Sequence, residues 1–255
     1  MDKVISRDGT SIAYERVGSG PALIAVDAAG NYRDFRALPA PVDLLAEDFT
    51  VYVYDRRGRG ASTDTSPFAI EREVEDLAAL IDAAGGSAFL YGLSSGGLLA
   101  LHAAASGLAV PRMALFEPPV NTGEPDSAFT AQIAALVEAG RRRDAVEAFH
   151  RGIGVPDEII AGMAPEVWAA LEAVAHTLVY DCRLSDSMSL SLVGSVTVPT
   201  LVIDSYGSSG DLASMVAAVV EALPHGSHRS LTGEWHGVPH ERLAPVLAGY
   251  LRGEG

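Results

Sequence analysis

The sequence predicts an α/β protein: a mostly parallel sheet flanked by helices, with a helical cap inserted at roughly residues 119–198. Three observations predict it. Short apolar runs rich in β-formers alternate with helical periodicity up to residue 116 and again from residue 200. Between them, from Pro118-Pro119 to Val198, about 80 residues carry only helical signals, far more than a crossover loop needs. A Gly-x-Ser-x-Gly segment, Gly92-Leu93-Ser94-Ser95-Gly96, stands where a strand gives way to a helix.

In chain order, Ile12–Val17 reads as a strand and Ala22–Val26 as a short buried one. A small-residue loop follows, then a helix-like stretch to Glu47. Thr50–Tyr54 alternates and is β-rich. Glu71–Ala84 places Val74, Leu77, Leu80 and Ile81 on one helical face and stops at Gly85-Gly86. Ala88–Tyr91 is a strand, Ser95–Ala105 a helix and Arg112–Phe116 a strand. Strands this apolar, separated by helices, imply a parallel sheet covered on both faces. The interrupting segment carries helices at Ala128–Ala139, Asp144–Gly152 and Glu166–Asp181. Alternation resumes with strand Thr200–Asp204, helix Leu212–Leu223, strand His228–Leu231 and helix Arg242–Leu251. An excursion of this kind is expected to lie over the strand C-termini, where open α/β sheets bind ligands. The organisation is therefore a core of 1–118 and 199–255 and a cap of 119–198.

The 255 residues are 48% hydrophobic and 20% charged, enough to bury a sizeable core without covalent staples. Cys182 is the single cysteine, so no intrachain disulfide can form, which suits a reducing compartment. The first ten residues are polar, and apolar stretches are broken well before bilayer-spanning length. The expectation is a soluble, cytoplasmic protein with no membrane partner. A net charge of −15 repels phosphate backbones, which argues against nucleic acid. The basic run Arg141-Arg142-Arg143 has Glu138 and Asp144 beside it and reads as a solvated helix face. Gly58-Arg59-Gly60 lacks a third glycine and the loop after Val26 has only Gly30, so neither makes a dinucleotide or phosphate loop; no cofactor is implied. His236 and His240 are four apart, but Gly237 and Pro239 between them rule against a helical metal pair.

The serine segment carries the chemistry. A sharp strand-to-helix turn forces Ser94 into a strained backbone, and flanking glycines leave room for it. Its oxygen then projects above the sheet while the new helix directs free N–H groups at the same point. The Ser95 N–H is one expected oxyanion donor. A Gly-Ser turn or helix cap is the bland alternative.

With these residues the chain resembles the α/β-hydrolase superfamily over nearly its whole length, least in the cap. Tyr54-Asp55-Arg56-Arg57-Gly58-Arg59-Gly60-Ala61-Ser62 is similar to that family's D-x-R-G-x-G-x-S segment. Val198–Ile203 looks like the strand that re-enters the core after the cap, and Gly233-Glu234-Trp235-His236 like the loop bearing the catalytic histidine. The resemblance implies Ser94 as nucleophile and His236 as general base, then acid. His240, at the start of the last helix, reads as an exposed or capping residue.

Two departures from the family pattern stand out. Where the triad acid usually follows the strand ending at Ile203, Ser208 takes its place, between Asp204 and Asp211. Some members carry the acid just before the cap, which here is Glu117. The choice is Glu117 first, with Asp204 or Asp211 as alternatives. The oxyanion loop reads Asp27-Ala28-Ala29-Gly30 instead of the usual His-Gly, so the second donor is the Ala29 N–H. Asp27 must turn away, be protonated or bind a loop N–H if it is not to oppose an oxyanion.

Candidate substrate contacts are Asp27, Trp168, His176, Tyr180 and Tyr206, with Met188 and Asp181 nearby on the cap; ordinary packing is the competing role for each. The expected reaction is hydrolysis of a small carboxylic ester, thioester or lactone through an acyl-enzyme. The alternatives are C–C cleavage, cyclisation or isomerisation on the same fold without an acyl intermediate, or a non-catalytic ligand-binding member.

Overall fold

The computed structural model describes residues 1–36, 39–123, 125–208 and 210–254. Eight strands form one sheet: β1 (Asp2–Ile5), β2 (Ser11–Val17), β3 (Ala22–Val26), β4 (Thr50–Tyr54), β5 (Phe89–Leu93), β6 (Met113–Phe116), β7 (Thr200–Ser205) and β8 (Gly226–Leu231). Their order is β1-β2-β4-β3-β5-β6-β7-β8. The β1–β2 and β2–β4 pairings are antiparallel and the rest parallel. The chain steps outward from β3 to β4, then crosses back to place β5 on the other side of β3. That reversal opens a crevice beyond the C-terminal ends of β3 and β5, where the Asp27–Asn31 loop and Ser94 lie.

Alternation along the strands sorts side chains to two faces. Ile24, Val26, Tyr52 and Tyr54 pack under α2 (Ile70–Ala83) and α3 (Ser95–Ala105), with α9 (Leu190–Gly194) and α10 (Gly210–Ala222) on the same side. Leu23, Ala25, Val51 and Val53 face α1 (Val42–Leu45) and α11 (His240–Arg252), which contributes Leu243, Leu247 and Leu251. Helix α3 is apolar around its whole circumference and buried through most of its length, as suits a helix between sheet and outer helices.

Between β6 and β7 run α4 (Ser127–Glu138), α5 (Arg142–Gly152), α6 (Asp157–Gly162), α7 (Pro165–Ala173), a 3-10 turn (Ala175–Thr177), α8 (Leu178–Asp186) and α9. Most buried apolar residues from α4 as far as Cys182, among them Ile133, Val146, Phe149, Trp168, Leu171 and Leu178, form a cluster of their own. From Leu184 onward the packing changes: Leu184, Met188, Val193 and Val196 join the sheet's core. Met188 is therefore a core residue.

Three expectations about elements differ. The continuous helix over Glu166–Asp181 is broken at Val174–Thr177, where the backbone tightens to i→i−3 bonds: Thr177 N donates to the Val174 carbonyl at 2.9 Å, and Thr177 Oγ1 donates to the same carbonyl at 2.8 Å. The helix-like stretch to Glu47 contracts to Val42–Leu45, after Pro39 and Pro41; Ala37 and Leu38 in that stretch lie outside the described residues. Strand β1 has no apolar alternation; backbone pairing with β2 holds it at the sheet edge. Among the described residues no helix is long and apolar enough to cross a membrane.

Candidate active site

Ser94 caps α3 with φ 52° and ψ −121°. Its N–H donates to the Phe116 carbonyl at 2.9 Å, and its carbonyl accepts from Gly97 N at 2.8 Å. The turn tolerates no side chains on either flank. A Cβ on Gly92 would lie 2.6 Å from Gly97 Cα, and one on Gly96 would lie 2.0 Å from the Val26 carbonyl oxygen. The glycines thus let β5, β3 and α3 converge where the serine emerges.

Glu117 follows β6 and is fully buried, with φ 44°. Its N–H donates to the Ile203 carbonyl at 2.9 Å. One carboxylate oxygen accepts from Ser205 N at 2.7 Å; the other lies 2.5 Å from Nδ1 of His236. His236, with φ 50°, sits in a tight turn closed by Glu234 N donating to the Gly237 carbonyl at 2.9 Å. Its own N–H donates to Ser208 Oγ at 3.0 Å. With Nδ1–H directed at a carboxylate, Nε2 is left as the acceptor. Among the described residues, Ser94, Glu117 and His236 are the non-glycine positions with positive φ. Such conformations persist only where surrounding structure enforces them, and they concentrate at functional sites.

Ser94 and His236 line one cavity of about 350 Å³, together with Ala29, Ser95 and Trp235. Among the described residues no hydrogen bond joins Ser94 Oγ to His236; such contacts are commonly loose without substrate and tighten in the complex. The N–H groups of Ala29 and Ser95 likewise have no partner among the described residues, and both residues line the cavity. Phe129 and Phe149 supply apolar walls.

The alternative acids are placed elsewhere. Asp204 pairs with His228 Nε2 at 3.1 Å, on the β7–β8 edge. Asp211 is exposed in the first turn of α10 and lines the cavity, with no contact to His236 among the described residues. Ser208 serves the backbone of His236; its neighbour Ser209 lies outside the described residues.

The structure does not bring the candidate substrate contacts to the cavity, Asp181 excepted. Asp27 is buried and turned away, with Arg36 Nε donating to it at 3.2 Å. Burial pushes its carboxyl above the usual range despite the pull of Arg36, Arg59 and Arg56. Trp168 is inside the cap cluster with the Arg143 guanidinium 3.2 Å from its ring centre. His176 packs against Gly58, where a Cβ would lie 3.1 Å from its Nε2. Tyr180 donates to Asp64 Oδ2 at 2.7 Å and stacks on Phe68 at 4.0 Å between centroids. Tyr206 is 74% exposed. His240 starts α11, its Nε2 3.0 Å from the Pro39 carbonyl.

Sequence reasoning missed Phe129, Phe149, Asp126, Asp186 and Trp235 as lining residues. The phenylalanines occupy helical positions that look like any core-facing site. Only the adjacency of Trp235 to His236 was a usable signal. Among the described residues no group of three or more His, Cys, Asp or Glu side chains is placed to hold a metal ion.

Comparison with known proteins bears on this geometry. The sequence pattern of the alpha/beta hydrolase family matches residues 20–248. An alpha/beta hydrolase from Sphaerobacter thermophilus is 43% identical, with 98% of this chain and 99% of that one covered at a TM-score of 0.90. A hydrolase from Pseudomonas aeruginosa is 24% identical, covering 92% and 91% at 0.78, and a thermophilic esterase from Thermogutta terrifontis is 22% identical, covering 98% and 97% at 0.77. The last two share the fold. With the profile match and the Sphaerobacter relative both spanning nearly all of it, the chain belongs to the alpha/beta hydrolase family.

Proposed function

We propose that this hydrolase cleaves a small carboxylic ester, thioester or lactone through an acyl-enzyme on Ser94. The observation that carries the reading is the convergence of the three enforced positive-φ residues. Glu117 grips Nδ1 of His236 at 2.5 Å, and His236 shares its cavity with Ser94. His236 Nε2 takes the Ser94 proton as Oγ attacks the carbonyl. The Ala29 and Ser95 N–H groups receive the developing oxyanion, each donor being worth about 10²–10³ in rate. His236 then protonates the leaving group and activates the water that releases the acid. The cap helices ahead of residue 183 roof the cavity. Its volume, about 350 Å³, is near the lower end for small-molecule sites and suits a short acyl or alcohol group.

A fluorophosphonate probe tests the chemistry. One equivalent should attach, and peptide mapping should place it on Ser94, with loss of esterase activity in step. Turnover by an enzyme that resists the probe would favour a reaction without an acyl intermediate; tight binding of esters with no turnover would favour a non-catalytic pocket.

The cavity wall also bears on substrate charge. Asp126, Asp186 and Asp211 are among its lining residues, and among the described residues no Lys or Arg is; Asp181 also lines it, but its charge is held by Arg56 and Arg59. A carboxylate on the substrate meets the like charge of Asp126, Asp186 and Asp211 with no cation among the described wall residues to offset it. A neutral short-chain aryl ester should therefore show a kcat/KM at least about tenfold above that of the matching ester bearing a free carboxylate, the gap narrowing in high salt. Equal values, or preference for the anion, would remove this assignment.

A further inference from the structure

Behind the proposed oxyanion hole lies a buried ionic network that the mechanism does not use. Arg56 is gripped by Glu73 on α2, with Nε and Nη2 donating to its two oxygens at 2.7 Å each. Arg56 Nη1 donates to Asp181 Oδ1 at 2.8 Å and approaches the Asp27 carbonyl at 3.4 Å. Arg59 Nη2 donates to Asp181 Oδ2 at 2.6 Å, and its Nη1 donates to the carbonyls of Ala28 at 2.7 Å and Asn31 at 3.3 Å. Asp181 Oδ1 also accepts from the Ser95 hydroxyl at 2.9 Å, and that hydroxyl oxygen accepts from Arg56 Nη1 at 3.3 Å. Arg56, Arg59, Glu73, Asp181 and Ser95 are all buried.

The connectivity is specific. The two expected oxyanion donors are Ser95 N and Ala29 N. One belongs to the residue whose side chain Asp181 holds. The other belongs to the peptide whose carbonyl, on Ala28, is held by Arg59, which Asp181 also holds. Asp181 itself comes from α8, in the segment that roofs the cavity, and it lines that cavity. Arg59 Nε is buried with no partner among the described residues, so the hydrogen bonds that locate its guanidinium there are those of its Nη atoms.

We propose that Asp181 is a positioning residue that fixes the separation of the two oxyanion donors, tying the cap to the transition-state geometry of the site. The inference rests on the serine-ester reading above. A misplacement of about 1 Å at such a site lowers rate by about 100-fold, so a tether of this kind has a measurable role. Charge and position predict opposite signs. The carboxylate's own charge disfavours a nearby oxyanion, and its removal leaves Arg56 and Arg59 with Glu73 as their one remaining ion-pair partner among the described residues, a shift toward positive charge that by itself would raise kcat. Loss of the tether lowers it.

Two variants test this in the full-length protein. Asp181→Asn removes the charge and weakens both arginine contacts. Ser95→Ala cuts the hydroxyl's bonds to Asp181 and Arg56 while leaving the arginine–carboxylate pairs and the backbone N–H in place, and so remains informative where Asp181→Asn fails to fold. For a neutral ester, kcat should fall about 10–100-fold in Asp181→Asn and by a smaller factor in Ser95→Ala, with KM within twofold of the parent. Affinity for a boronic acid, which forms a tetrahedral adduct, should weaken by the same factor as kcat/KM. Affinity for a substrate-shaped amide should not change. A rise in kcat, a kcat within twofold of the parent in every variant that folds, or equal losses for amide and boronic acid would overturn the positioning role. A parent enzyme that neither hydrolyses esters nor takes up the fluorophosphonate would instead overturn the reading beneath it, so the two failures are distinct.

Discussion

Replacing Ser94 by alanine is expected to lower kcat for ester hydrolysis by on the order of 10⁵–10⁶-fold, with little change in fold. The size of the loss decides between roles. A serine that only donated a hydrogen bond to a polarised substrate would contribute about 10²–10³, the worth of one oxyanion donor. A serine that forms the covalent intermediate takes the whole two-step route with it and leaves only binding and the oxyanion hole to act on water. The variant is clean because the Ser94 hydroxyl has no hydrogen-bond partner among the described residues, while the backbone bonds at Phe116 and Gly97 do not involve the side chain. Alanine has the same Cβ in the same positive-φ turn, so the thermal midpoint should move by only a degree or two. Steady-state kinetics on a neutral ester, with circular dichroism beside them, make the measurement. A loss smaller than about 10³ in a folded protein would take the nucleophile's role from Ser94.

Much of the fold could be read in the sequence because its central elements are apolar with a clear period. Strands β3 and β4 lie where their apolar runs place them, and helix α2 lies within a residue of where its apolar spacing places it. Strand β1 was illegible for a physical reason: Asp2-Lys3-Val4-Ile5 is mostly exposed, and its order comes from backbone bonds to β2, which leave no mark on side-chain pattern. The break between α7 and α8 was hidden likewise, because the 3-10 turn at Ala175–Thr177 keeps the apolar stripe running while the backbone bonds shift from i−4 to i−3 carbonyls. At the site, Ser94 was legible from its glycines, which the crowding around Gly92 and Gly96 demands. The cavity wall was not. Polar cap residues such as His176 and Tyr180 look like ligand contacts until their partners, Gly58 and Asp64, are seen to lie across the fold from them. Arg56 and Arg59 belong to a recognisable motif, yet their common partner Asp181 is far along the chain, so their link to the oxyanion hole emerges only in three dimensions.

Glu117→Gln is the second large effect, expected to lower kcat by about 10⁴-fold while the protein stays folded. The argument turns on where the two oxygens of Glu117 go. Oε1 accepts from Ser205 N at 2.7 Å in a fully buried position, and that N–H must keep an acceptor. Glutamine can satisfy it only by turning its carbonyl oxygen toward Ser205, which points its amide NH₂ at His236 Nδ1. Nδ1 must then accept rather than donate, the ring proton moves to Nε2, and the histidine can no longer take the proton of Ser94. Alanine at this position would be a poorer test, since it leaves the Ser205 N–H buried and unsatisfied at a cost of about 1–3 kcal/mol and confounds catalysis with stability. Because the same proton transfer activates Ser94 toward a fluorophosphonate, the labelling rate of Glu117→Gln should fall in parallel with kcat. Asp204→Asn and Asp211→Asn should retain near-parent activity, since Asp204 is engaged with His228 and Asp211 is exposed, with no contact to His236 among the described residues. A Glu117→Gln enzyme within tenfold of the parent would show that the short contact at Nδ1 orients the ring without governing its proton.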